Sequence, residues 1–134
     1  MKPPAWHEHY VSGVARIDAQ HHEIFDLIHR LAESSAHGYN PAEVGHYLDA
    51  FRDHIIEHFA EEDATMVARG YPELPQHRIA HLGISEQLAE LVGAQNRGEV
   101  VVGASVMALG NVLVRHIQTD DLKMATWLRE HASA

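Results

Sequence analysis

A chain of 134 residues is long enough to bury one hydrophobic core and too short for two, so a single domain over residues 1–134 is expected. It contains no cysteine, which excludes disulfide staples, thiolate metal sites and iron–sulfur clusters and leaves nitrogen and oxygen as the metal donors. Its 19 acidic against 10 basic residues give a formal charge of -9, the opposite of what nucleic acid or an anionic lipid surface attracts, so nucleic acid is not expected as a partner.

The opening Met-Lys-Pro-Pro-Ala-Trp-His-Glu has no apolar signal segment. The longest uncharged run, Val100 to Val114, falls short of the ~18 residues of a spanning helix. No membrane insertion and a cytoplasmic location are the expectations. Residues 1–17 carry prolines and a glycine without helical period, and read as an extended arm laid over the fold by Trp6, Tyr10, Val11 and Val14. From Asp18, an N-cap residue type, His21, Ile24, Phe25, Ile28, Leu31 and Ala32 recur at threes and fours, predicting a helix over about 18–37. Asn40 followed by Pro41 then predicts a helix over 41–69 that buries Val44, Leu48, Phe51, Ile55, His58, Phe59, Glu62 and Met66 and stops at Gly70.

Beyond the turn at Gly70-Tyr71-Pro72, Pro75 restarts a helix over 75–95 with His77, His81, Ile84, Leu88, Leu91 and Val92 inward. A fourth helix over about 99–118 buries Val102, Val106, Leu109, Leu113, His116 and Ile117, and a short one over about 121–131 carries Met124, Trp127 and Leu128. Connections of a few residues force neighbours to run antiparallel. The expected fold is therefore all-α, an up-down-up-down four-helix bundle with an extended N-terminal arm and a short C-terminal helix.

The apolar stripes of these helices are interrupted by titratable groups. His77 and His81 lie one turn apart, as do His58 and Glu62, and the apolar phase favours His21 over its neighbour His22. His116 is followed by two acids, Asp120 at +4 and Asp121 at +5, of which helical spacing alone favours Asp120. Each of these has an ordinary reading as a surface pair or a core histidine, and His54 and Glu61 stand beside their chosen neighbours. An inward imidazole from all four helices is harder to explain without a cation, because buried charges need partners. Five imidazoles and two carboxylates suit borderline metals better than magnesium or calcium, and two acids can each bridge a pair of ions; two irons are the natural occupant. The ferritin-like alternative needs two Glu-x-x-His motifs, and only Glu43 to His46 is present; His-Glu-x-x-His is absent.

These residues also form a recognisable constellation. The run Gly13-Val14-Ala15-Arg16-Ile17-Asp18-Ala19-Gln20-His21 is followed by His58-Phe59-Ala60-Glu61-Glu62 with Met66 beyond. Tyr71-Pro72 then leads to His77 and His81, and last come His116-Ile117 and Asp121. Together they resemble the bacterial hemerythrins nearly end to end. The resemblance implies that His77, His81 and His116 hold one iron and His21 and His58 the other, with Glu62, Asp121 and an oxo or hydroxo group bridging. It selects Asp121 over Asp120, which suggests that the last helix breaks or unwinds before Asp121. Leu122-Lys123-Met124 departs from the aromatic or second lysine that relatives often carry there.

The resemblance further implies that dioxygen binds at an open position of the two-histidine iron, as a hydroperoxide, in a pocket walled by Ile24, Phe59, Met66, Leu113 and Ile117. An apolar pocket without an acid would favour release of intact dioxygen. The expected role is a reversible oxygen binder for storage, delivery to an oxygen-consuming enzyme, or sensing through an output domain, and not an enzyme. A di-iron enzyme acting on peroxide or nitric oxide, and a helical interaction module without a functional metal, are the alternatives.

Overall fold

The helix over Pro41–Arg69 begins and ends where local chemistry supplies the means. The computed structural model describes residues 11–36, 40–101 and 103–131, so the expectations for Trp6, Tyr10, Val102 and the helix end near 37–38 lie outside the described residues. The helices are α1 (Ala15–Ala36), α2 (Pro41–Arg69), α3 (Leu74–Asn96), α4 (Gly103–His116) and α5 (Leu122–Glu130), with a π-helical turn at Ile117–Asp121 joining the last two.

The side chain of Asn40 accepts hydrogen bonds from the backbone N–H groups of Ala42 and Glu43 at 3.0 and 3.3 Å, satisfying two donors that the start of α2 would leave unpaired. At the far end Gly70 takes φ 70°, a left-handed conformation that costs glycine nothing. There Tyr71 N–H donates to Met66 O and Gly70 N–H to Val67 O, closing the helix with a Schellman motif. Arg69 reaches the carbonyls of Leu128 and His131, tying the end of α2 to the end of α5.

The helix starts differ from expectation in two places. α1 begins at Ala15, three residues before Asp18, whose carboxylate instead reaches back to accept from Ser12 N–H at 2.8 Å. The arm ends correspondingly earlier, and Val11, expected to pack, is 51% exposed, whereas Val14 packs on the bundle. α4 starts at Gly103 and not near Glu99. The run Val100-Val101-Val102 is β-branched and disfavours helix, and Val101 is buried in the core from outside any helix.

α1 packs on α2, α2 on α3, α3 on α4, and α4 closes back on α1, giving the four-helix bundle. The main core gathers Ile28, Leu31, Val44, Leu48, Phe51, Ile55, Leu88 and Leu109, among others, with Ala32 and Leu91 half-buried at its margin. Fully burying one such side chain contributes about 1.5–3 kcal/mol. A second cluster of Ile17, Met66, Tyr71, Met124 and Leu128 lies at the other end.

α1, α2 and α3 each run through both clusters with polar residues between them, and α4 and α5 do so together across the π turn. His21 lies between Ile17 and Ile24, Glu62 between Phe59 and Met66, His77 and His81 between Leu74 and Ile84, and His116 and Asp121 between Leu113 and Met124. The bundle therefore consists of two apolar zones separated by one polar layer. Among the described residues no helix is long and apolar enough to cross a membrane.

Candidate metal centre

The polar layer is assembled from all four helices of the bundle and the π turn. α1 supplies His21, α2 supplies His58 and Glu62, α3 supplies His77 and His81, α4 supplies His116, and the π turn supplies Asp121; all seven are buried. Glu62 sits one helical turn after His58, and His81 one turn after His77, so each pair projects from a single face.

Asp121 reaches the centre by different means. A helix that breaks or unwinds before it was expected; the chain stays helical and unwinds into a π turn. The wider turn brings residues five apart onto one face, so Asp121 follows His116 inward and its Oδ1 lies 3.1 Å from His116 Nε2. Asp120, the residue that regular spacing favoured, turns outward and accepts from His116 Nδ1–H at 2.8 Å. The two acids thus face opposite nitrogens of one imidazole. His22 is exposed, His54 Nε2 meets the backbone carbonyl of Gln20, and Glu61 faces Arg16 and Gln20, so none of these three enters the cluster.

Each buried carboxylate divides its oxygens between two groups of imidazoles. Glu62 Oε1 lies 3.1 Å from His77 Nε2 and 3.0 Å from His81 Nε2, while Oε2 lies 2.9 Å from His58 Nε2 and 3.8 Å from His21 Nε2. Asp121 Oδ1 is 3.0 Å from His77 Nε2, and its Oδ2 is 3.0 Å from His21 Nε2. Two sets of donor atoms result, each compact enough for one ion, with every atom within 4.8 Å of the others in its set. One is Glu62, His77, His81, His116 and Asp121; the other is His21, His58, Glu62 and Asp121.

Protons alone do not satisfy this layer. Among the described residues, His21 Nε2, His58 Nε2, His116 Nε2, Glu62 Oε2 and both oxygens of Asp121 are buried without a hydrogen bond. The separations are short enough, so it is the directions that fail: nitrogens and oxygens aim at shared points between them. Such orphaned atoms cost roughly 1–3 kcal/mol each when neutral and more when charged. Ions at those points would use every one of them.

The electrostatics describe the same strain. Burial pushes His21 and His77 toward neutrality, but the nearby carboxylates of Asp121 and Glu62 outweigh it and raise them to about 9 and about 10. His116 is raised against its burial by Asp121 in the same way. Burial would raise Glu62, yet four imidazoles hold it well below the carboxylate range. Asp121 is likewise held low by His116 and His21 against its own burial and the charge of Glu62. The layer keeps its carboxylates ionised and attracts positive charge.

The outer nitrogens are fixed by partners that sequence periodicity did not indicate. His58 Nδ1–H donates to Gln20 Oε1 at 2.6 Å and His81 Nδ1–H to Asp63 Oδ1 at 3.1 Å. Gln20 and Asp63 each sit one position from an inward residue, and adjacency is too weak a signal to assign such a role. Phe59 stacks on the His81 ring, with centroids 3.8 Å apart, and Tyr71 meets His77 edge-on at 6.4 Å.

The five residues expected to wall a gas pocket, Ile24, Phe59, Met66, Leu113 and Ile117, are all buried. Ile24, Phe59 and Leu113 belong to the main core, whereas Met66 lies across the polar layer in the smaller cluster. A cavity of about 280 Å³ opens between the start of α1 and the ends of α2 and α5, with Val14, Ile17, Met124 and Leu128 as its apolar lining, Gln20 and Glu62 facing it, and Arg16, Arg69 and Arg129 among its polar wall. Its lining also includes Glu61, whose carboxyl is held below its ordinary range by Arg16 and Gln20.

Known proteins resemble this chain in sequence and fold. The family model described as the Hemerythrin HHE cation binding domain matches residues 12–131. A bacteriohemerythrin from Methylococcus capsulatus is 32% identical over 111 residues, covering 82% of this chain and 84% of the relative. One from Ralstonia nicotianae is 31% identical, covering 93% and 88%. The solved structure of a wild-type hemerythrin superposes with a TM-score of 0.86 at 29% identity, over 92% of this chain and 95% of that one.

Proposed function

This chain belongs to the hemerythrin family, and from that premise we propose that it is a non-haem di-iron protein that binds dioxygen reversibly. The observation that carries the reading is the pair of donor sets sharing Glu62 and Asp121, each carboxylate with one oxygen toward each set. His77, His81 and His116 would hold one iron and His21 and His58 the other. The donor chemistry supports iron: imidazole and carboxylate without thiolate suit a borderline divalent ion.

When bound, a ferrous pair supplies two reducing electrons and a coordination position for dioxygen. The set containing His21 and His58 has one protein ligand fewer than the other, which leaves room for an exogenous ligand there. The cavity beside Ile17, Gln20 and Met124 offers a route toward that set from the surface. Its apolar lining admits a small uncharged molecule, and the flanking clusters keep bulk water from the layer.

The fate of the ligand depends on available protons. Breaking an O–O bond needs an acid close to the distal oxygen, and both acids of the cavity wall are kept ionised, Glu61 by Arg16 and Gln20, and Glu62 by the imidazoles around it. Release of intact dioxygen is the outcome these residues favour, which makes the chain a carrier, store or sensor and not a peroxidase.

Cycling the reduced, iron-loaded protein between argon and air tests this directly. The expected result is a visible absorption band that appears with one dioxygen per two irons and bleaches on deoxygenation. Immediate irreversible oxidation, or sustained turnover of peroxide or nitric oxide, would overturn the carrier reading in favour of a di-iron enzyme.

A further inference from the structure

The two donor sets differ in what stands behind their imidazoles. In the larger set, His81 Nδ1–H donates to Asp63 at 3.1 Å and His116 Nδ1–H to Asp120 at 2.8 Å, so two rings are backed by carboxylates. In the smaller set His58 Nδ1–H donates to the amide oxygen of Gln20 at 2.6 Å, and among the described residues His21 Nδ1 has no hydrogen-bond partner.

The orientation of the Gln20 amide follows from its other neighbour. Its Nε2–H donates to Glu61, which also accepts from Arg16. An ionised carboxylate cannot donate, so the amide oxygen is the atom left to face His58, and His58 Nδ1 carries the proton. All five rings of the two sets present Nε2 inward, and the difference between the sets is one of charge behind the ring. An anion accepting from Nδ1–H makes Nε2 a stronger electron-pair donor, and a neutral amide does so less.

The larger set thus combines one extra donor with carboxylate support, and the smaller set has neither. We propose that the centre loads in order, the His77, His81 and His116 half first and the His21 and His58 half second and more weakly, with Gln20 as the positioning residue that sets the second affinity. The proposal rests on the two-ion reading above. Gln20, which backs the weakly gripped half through His58, lines the cavity together with Glu62, a member of both sets.

Cobalt(II) titrated into the full metal-free chain, followed by calorimetry and by the visible absorption of the bound ion, tests the order. Two ions per chain in two resolved steps are expected. The paired exchange Gln20→Glu with Glu61→Gln swaps amide and carboxylate while retaining a donor and an acceptor between them. It should tighten the second step about 10-fold and leave the first where it was. Asp120→Asn should do the reverse, weakening the first step about 10-fold while the second holds. Circular dichroism matching the parent chain in both variants separates a ligand effect from loss of fold. Simultaneous uptake of both ions, or an Asp120→Asn effect on the second step, would overturn the loading order, and a second step that the paired exchange does not move would overturn the role of Gln20, each leaving two-ion binding intact. Saturation at fewer than two ions would overturn the two-ion reading itself, and the order with it.

Discussion

The layer around Leu48, Phe51, Leu88 and Leu109 and the layer around Glu62 and Asp121 are built by the same helices, yet they are stable for opposite reasons. The first is complete in itself: its side chains are buried against one another, and water exclusion is all it requires. The second buries charges that attract one another but leaves inward atoms unpaired. A helical bundle can therefore carry a layer that weakens it unless a guest arrives, provided apolar zones on both sides hold the helices in place.

Removing the guest is the strongest way to break the comparison. Chelation should lower the thermal midpoint by the binding free energy of the ions, about 4 kcal/mol for each one held at a thousand times its dissociation constant. At roughly 4 °C per kcal/mol that is a large shift in a calorimetric scan. An unchanged midpoint would mean that the polar layer sustains itself after all.

Leu48→Ala attacks the other layer. Leu48 is fully buried, so the expected cost is about 2–5 kcal/mol in denaturant unfolding, with iron content unaltered because no donor is touched. Loss of iron in this variant would show that the two layers are coupled.

A smaller effect sharpens the contrast through pH. In the metal-free chain His21 and His77 are raised to about 9 and about 10, above the ~6.5 of an unfolded imidazole. A raised folded value stabilises fully below the unfolded one and is lost as pH climbs through the folded one. The melting midpoint of metal-free protein should accordingly fall between about pH 7 and pH 10. The iron-loaded protein should not follow it there, since the ion takes the place of those protons, and should weaken instead on acidification. Parallel pH profiles for the two forms would contradict the picture.

The least effect is expected from His46→Ala. His46 is an exposed histidine on α2, outside both layers, and its replacement should change stability by no more than about 0.5 kcal/mol and leave iron content as it was.

Much of this organisation is legible in the order of residues. The buried face of α2, from Val44 through Met66, follows its apolar period because a helix sorts side chains between water and core at 3.6 residues per turn. The same period singles out His21 over His22 and brings His58, Glu62, His77 and His81 to the interior. The limits of the reading are equally physical. Asp121 could be chosen over Asp120 only by resemblance, because a single inserted residue in a π turn shifts the phase and no local propensity announces it. Gln20 and Asp63 lie on helix flanks where polarity is expected anyway, and each finds its imidazole on another helix.

What the amino-acid order determined is the set of faces: which side chains each helix turns inward, and that one band of every face is imidazole or carboxylate. Tertiary structure alone decided how those bands meet. The division of Glu62 and Asp121 between two sets of histidines, the amide or carboxylate behind each ring, and the cavity beside Gln20 depend on relative heights and rotations of helices distant in the chain. Periodicity describes each helix about its own axis and carries no information on the offset between axes, which only packing sets.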